Sequence, residues 1–198
     1  MVTSDQDATG ELPVLQCARQ EEWAVWLDNN HAASPGVWLE IAKKASGRTS
    51  VSYAEALDVA LCYGWIDGQS KSQGAASWLQ KFTPRGNGSI WSKVNRDKAL
   101  ALIANGQMKP AGLAAVERAR QNGRWDGAYD SPSSATVPDD FQAELDRNAK
   151  AKAFFATLHS RNRYAILFRL QTAKKAETRA RRMQQFISML ERNETLYP

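Results

Sequence analysis

The sequence predicts an α+β fold: a small, mainly antiparallel sheet with packed helices, followed by a helical C-terminal segment. Three observations predict it. Val37 to Ala42 alternates with period two, and Trp65–Ser70 and Ser77–Phe82 read as the two strands of a hairpin. Between them, VSYAEALDVALCYG at 51–64 has a helix-start signal and an apolar stripe at helical spacing. Beyond residue 139 every segment reads as helix.

In chain order, residues 1–12 are polar and expected to fray. Val14 to Cys17 reads as a short strand. Arg19 to Asn30 reads as a helix with Trp23, Trp26 and Leu27 on one face. Ser34-Pro35-Gly36 is a turn. In the strand at 37–42, Val37, Leu39 and Ile41 point one way, and Trp38, Glu40 and Ala42 the other. Apolar bulk on both faces places this strand in the sheet centre or against a pocket. The stretch from Lys43 to Ser50 is a solvated connection.

Ser52 and Glu55 have capping-box spacing. Tyr53, Leu57 and Leu61, with Ala56 and Ala60 beside them, form the stripe that faces a core. Gly64 is placed to end that helix in a left-handed conformation. Lys71 to Ala76 reads as a mobile connection within the hairpin. Ser92 reads as the N-cap of a helix from Lys93 to Asn105, which Gly106 closes. Pro110 opens the next helix, and Gly123 ends it. A Ser/Pro-rich linker at 130–138 separates a domain at 14–130 from a helical module at 139–198. Four helices follow the linker: Asp139–Arg147, Ala149–His159, Asn162–Thr172 and Lys174–Arg192. In the last, Ala176, Ala180, Met183, Ile187 and Leu190 share a face. Glu177 and Arg181 have ion-pair spacing.

Composition bounds the function. The chain has 198 residues, 43% of them hydrophobic and 24% charged, with a net charge of +5. That suits one globular domain or two small ones and permits, without demanding, an anionic partner. Two cysteines imply no disulfide framework and fit a reducing compartment. The opening MVTSDQDATGELP has no export-signal pattern, and no apolar run is long enough to span a membrane. The expectation is a cytoplasmic protein without membrane insertion.

Familiar catalytic patterns are missing. There is no GxxxxGK[ST], no GxGxxG, no GxSxG and no zinc spacing among two histidines and two cysteines. No metal or cofactor is implied, and no catalytic residue is assigned. What remains is a cluster around loop ends: Trp38, Trp65, Asp67, Arg85 and Trp91, with Lys93 and Asn95 beside it. The tryptophans would be walls, or core residues of the sheet. Arg85 would clamp a carboxylate or phosphate through its planar fork, or pair with Asp67. Asp67, just beyond a helix C-terminus, needs a cation, donors or water. Asp67-Gly68 is also a strong hairpin-turn signal, and on sequence alone the turn outweighs the functional carboxylate. His31 could be a general base, but a helix-terminal role is preferred. The basic run at 174–182 could meet phosphates, yet it lacks interleaved aromatics, so nucleic acid takes a minor share.

The motifs WLDNNH (26–31), GVWLEIAKK (36–44), SYAEALDVALCYGWIDGQ (52–69), FTPR (82–85), WSKVN (91–95), GRWDGAY (123–129) and RLQTAKKAETRARRMQQFI (169–187) together resemble the YdeI/OmpD-associated, or bacteriocin-protection, family. The resemblance runs from about residue 20 to 192. It implies a protection or envelope-stress role without an assigned reaction, and the region after the linker resembles the family's helical module. The leading expectation is a protein that binds a small anionic or polar ligand in a Trp-lined Asp/Arg pocket. The alternatives are a binding module that meets an acidic protein or nucleic acid through the basic C-terminal helix, and a homodimer face.

Overall fold

A computed structural model describes residues 12–198. The expectations for the polar N-terminal stretch fall almost wholly outside the described residues. The chain forms two compact units, Met1–Trp91 with Asn95–Asp126, and Ser92–Val94 with Gly127–Pro198.

The first unit holds a four-stranded sheet in the order β1-β2-β4-β3. β1 (Val14–Gln16) pairs in parallel with β2 (Val37–Ala42), and β2 pairs antiparallel with β4 (Ser77–Pro84). β3 (Trp65–Gln73) completes the hairpin with β4. The sheet is thus mainly antiparallel, and β2 lies inside it. α1 (Gln20–Asn30) and α2 (Tyr53–Cys62) contribute to the core over one face. There Val37, Leu39 and Ile41 join Trp23, Leu27, Ala56, Ala60, Trp65 and Phe82. The Trp23 indole N–H donates to the Ala56 carbonyl at 3.0 Å, so this large buried ring leaves no donor unmet.

Local chemistry explains α2. The Ser52 hydroxyl accepts from the Glu55 amide at 3.3 Å, and the Glu55 carboxylate accepts from the Ser52 amide at 2.9 Å. Gly64 ends the passage out of α2 at φ 72°. A side chain there would be strained and would meet the Ala111 carbonyl oxygen. α3 (Lys93–Ala104) and α4 (Pro110–Gln121) follow, with Pro110 in the first turn of α4, where its missing N–H costs nothing.

Several local expectations are corrected. Asp67-Gly68 is not the hairpin turn. It lies within β3, where the pairing with β4 slips between Asp67 and Ser70. Asp-Gly favours a turn only where the flanking strands can pair across it; here the strands run on and reverse after Gln73, with Gly74 at φ 74°. Half of the connection drawn from Lys71 to Ala76, residues 71–73, is therefore strand. The stretch after β2 contains a short 3₁₀ turn at Lys44–Ser46.

The second unit contains α5 (Asp139–Asp146), α6 (Ala149–Thr157), α7 (Ser160–Gln171) and α8 (Ala176–Glu191). Phe141, Leu145, Phe155, Ile166, Leu170, Phe186 and Leu190 share its core. The buried stripe of α8 is centred on Phe186 and Leu190, while Ala176 and Ala180 are exposed. The stripe expected from small residues was therefore drawn too far toward the start of the helix. Glu177 and Arg181 form no salt bridge. Arg179 instead clamps both Asp140 oxygens, at 2.8 and 2.7 Å.

Candidate functional site

The structure distributes the sequence-derived site residues over several places. Trp65 is 1% exposed and belongs to the core: its ring meets Trp23 and Trp26 edge-on, and its N–H donates to the His31 carbonyl at 3.1 Å. Asp67, two residues on, accepts from the Tyr53 hydroxyl at 2.9 Å. This is the donor the carboxylate needed, and it comes from the start of α2. Trp38 points to the opposite sheet face, directly across from Lys81. The Lys71 ammonium sits 4.3 Å from its ring centroid. Lys93 pairs with Asp130 at 2.6 Å in the second unit, and Asn95 lies in the first turn of α3.

Arg85 and Trp91 are the two that meet. The Arg85 guanidinium carbon lies 3.7 Å from the Trp91 ring centroid, and Nη1 donates to the Ile90 carbonyl at 3.1 Å. The residue is only 5% exposed. β4 delivers Arg85: its amide donates to the Gly64 carbonyl at 2.9 Å, directly after the strand. Trp91 packs edge-on against Trp125, with centroids 4.9 Å apart.

Two further arginines reach this loop, and a third lies on the Trp125 ring. Arg118 donates to the Arg85 carbonyl at 3.4 Å and Arg124 to the Gly88 carbonyl at 2.6 Å, while Arg120 lies 5.5 Å from the Trp125 ring centroid. Sequence reasoning missed them because they sit more than 30 positions from Arg85. The available signal was RARQNGRW at 118–125, where a Gly-ended helix leads straight into a tryptophan. Among the described residues, Arg118, Arg120 and Arg124 meet no carboxylate. A clustered set of guanidinium groups on aromatic faces can hold an anion by charge and by forked hydrogen bonds.

A second polar place lies where β2 meets β1. Glu40 is buried and accepts from Gln16 at 2.5 Å and Arg48 at 3.0 Å. The Ser77 hydroxyl, then Gln16 and Arg48, hold its carboxyl below the usual glutamate range against the opposing effect of burial. Nearby, burial and Glu22 push the Cys17 thiol up to about 12, so it is protonated and inert at neutral pH. This arrangement reads as structural. His31 closes α1, its Nδ1 2.8 Å from the Leu27 carbonyl oxygen. The basic helix α8 uses Arg179 and Arg182 internally, on the Leu170 and Arg169 carbonyls, both at 2.6 Å. Among the described residues, no group of three or more His, Cys, Asp or Glu is placed to hold a metal, and no helix is long and apolar enough to cross a membrane.

Residues 134–193 match the family model described as bacteriocin-protection, YdeI or OmpD-associated, so the resemblance stated from the motifs holds in the C-terminal part. Residues 15–115 match the model described as domain of unknown function (DUF8412), and the chain belongs to that family over just more than half its length. No curated protein and no solved structure matches the chain significantly.

Proposed function

We propose that the protein is a cytoplasmic ligand-binding protein of the bacteriocin-protection type, and that its first unit holds a small, multiply charged anion at the arginines around residues 85–91. The observation that carries this reading is that Arg85 and Arg120 lie on the Trp91–Trp125 pair while Arg118 and Arg124 donate to the Arg85 and Gly88 carbonyls, with no carboxylate beside the last three among the described residues. Like charges so gathered repel, and a bound anion relieves that repulsion. Trp91 backs Arg85, whose guanidinium lies over its ring. Asp67, Trp38 and Trp65 support the sheet that carries the loop. The role is binding; the cluster brings forward no nucleophile. Two buried free thiols, Cys17 and Cys62, suit a reducing compartment.

A thermal-shift series with citrate and with pyrophosphate tests the reading. A ligand that binds only the folded state, at a hundred times its dissociation constant, adds about 2.7 kcal/mol of stability. The expected result is a stabilisation by one or both anions that an Arg118→Gln/Arg120→Gln variant loses. Equal stabilisation of both proteins, or of neither, contradicts it.

A further inference from the structure

The second unit carries a cavity of about 590 Å³ along one side of α7. Arg161, Tyr164, Phe168 and Arg169 line it at helical spacing, and Tyr197 and Pro132 complete its walls. This is not the face that makes the core. Ile166, Leu167 and Leu170 pack with Phe141 and Phe155. α7 therefore has two apolar sides, one filled by its neighbours and one open to the cavity.

The walls are fixed. Tyr164 donates to the Asp130 carbonyl at 2.9 Å, and its ring lies 5.8 Å from Phe168, centroid to centroid. Tyr197 is held through its backbone. The buried side chain of Asn162 donates to the Tyr197 carbonyl and accepts from the Tyr197 amide, both at 2.9 Å. The Tyr197 hydroxyl accepts from Arg169 at 3.2 Å, and Arg169 also donates to the Ala165 carbonyl at 3.2 Å. Arg169 is thus committed to the wall.

Arg161 is different. Its guanidinium carbon lies 4.4 Å from the Tyr197 ring centroid, and among the described residues it makes no hydrogen bond or salt bridge. An exposed guanidinium poised over an aromatic ring beside an apolar cavity can take a carboxylate by two parallel N–H···O bonds. One open cation matches one negative charge. Three aromatic side chains around the space match a flat apolar body. The volume lies within the range of small-ligand sites, roughly 300–1,000 Å³.

We propose that this cavity binds a small aromatic carboxylate, its ring between Tyr164, Phe168 and Tyr197 and its carboxylate on Arg161. The site is separate from the arginine cluster of the first unit and does not depend on it.

Cinnamate, its neutral amide cinnamamide, and the aliphatic acid hexanoate test it, titrated into the full-length protein and followed by backbone amide NMR shifts. Cinnamate should bind saturably and move the amides of Arg161, Phe168 and Tyr197. Cinnamamide and hexanoate should each bind about tenfold or more weakly, the first lacking the charge and the second the ring. Arg161→Gln should weaken cinnamate about tenfold and leave cinnamamide unchanged, while Arg161→Lys should fall between. Arg161 is exposed, so both variants should keep the parent amide spectrum outside the cavity. Absence of saturable binding, shifts that avoid α7 and Tyr197, equal affinity for the acid and its amide or for hexanoate, or full cinnamate affinity in Arg161→Gln would overturn the proposal.

Discussion

The Arg85 guanidinium lies over the Trp91 ring, its carbon 3.7 Å from the ring centroid, while Nη1 donates to the Ile90 carbonyl. One side chain thereby fixes both ends of the loop that follows β4. Both residues are buried, so the contact is largely desolvated and worth about 2 kcal/mol. Arg85→Lys keeps the charge but loses the planar fork and the stacked face. It should lower stability by about 1–2 kcal/mol in urea unfolding and alter tryptophan emission. Parent stability and emission would show the stack to be incidental.

Gly112 marks the close approach of α4 to the end of α2. A Cβ there would fall onto the Cys62 carbonyl oxygen and within 2.9 Å of its carbon. Two effects oppose each other in Gly112→Ala. Helix propensity favours alanine by about 1 kcal/mol. The clash is with backbone, which cannot swing aside, and overpacking of this kind costs about 1–3 kcal/mol. The clash should win, and thermal unfolding should show a lower midpoint. A raised midpoint would mean that the helices separate freely.

Glu40 gives a pH dependence with a definite sign. Its folded pKa is depressed, chiefly by the Ser77 hydroxyl and then by Gln16 and Arg48. Its contribution is therefore fully present above the ordinary glutamate value of about 4.3, and is lost as pH falls through the depressed folded value. Glu40→Gln should flatten the acid limb of the stability curve. It should also cost about 1.5–3 kcal/mol at neutral pH, the worth of hydrogen bonds to a charged group. Denaturant titrations at neutral pH and at a series of values from about pH 5 to about pH 3 would check both. An unchanged acid limb would assign the depression to other groups.

Arg179 and Arg181 lie two apart on α8 and have different roles. Arg179 holds Asp140 and the Leu170 carbonyl, whereas Arg181 is exposed and makes no salt bridge among the described residues. Asp140 is about half exposed, so solvent screening limits the pair. Arg179→Ala should cost about 1 kcal/mol, and Arg181→Ala should stay within about 0.5 kcal/mol, by urea unfolding. Equal effects would contradict the assignment.

Much of the fold was legible because local chemistry decides it. The alternation at Val37–Ala42, the Ser52–Glu55 box, Gly64 and Pro110 each act within a few residues. Asp67-Gly68 was misread because a bulge and a turn draw on the same residues, and only the pairing with β4 separates them. The site was harder. Strand alternation put Trp38 opposite Leu39, but which face the helices cover is a tertiary fact. Trp65 went to the covered face, with Trp23, and Trp38 to the other. Arg118 and Arg124 reach the 85–91 loop, and Arg120 the Trp125 ring, only through the placement of α4 and the residues after it, which no local spacing encodes. In α7, the sequence indicated a helix at Asn162–Thr172 but not the cavity wall that Arg161, Tyr164, Phe168 and Arg169 form.

The most direct test of the arginine cluster is a calorimetric titration of pyrophosphate, and separately of citrate, into the parent protein and the Arg118→Gln/Arg120→Gln variant. The cluster predicts saturable binding of at least one anion to the parent, weakened about tenfold or more in the variant, since each lost charged hydrogen bond is worth about 1.5–3 kcal/mol. Binding that is absent from the parent, or equally tight in the variant, would contradict an anion site at these residues.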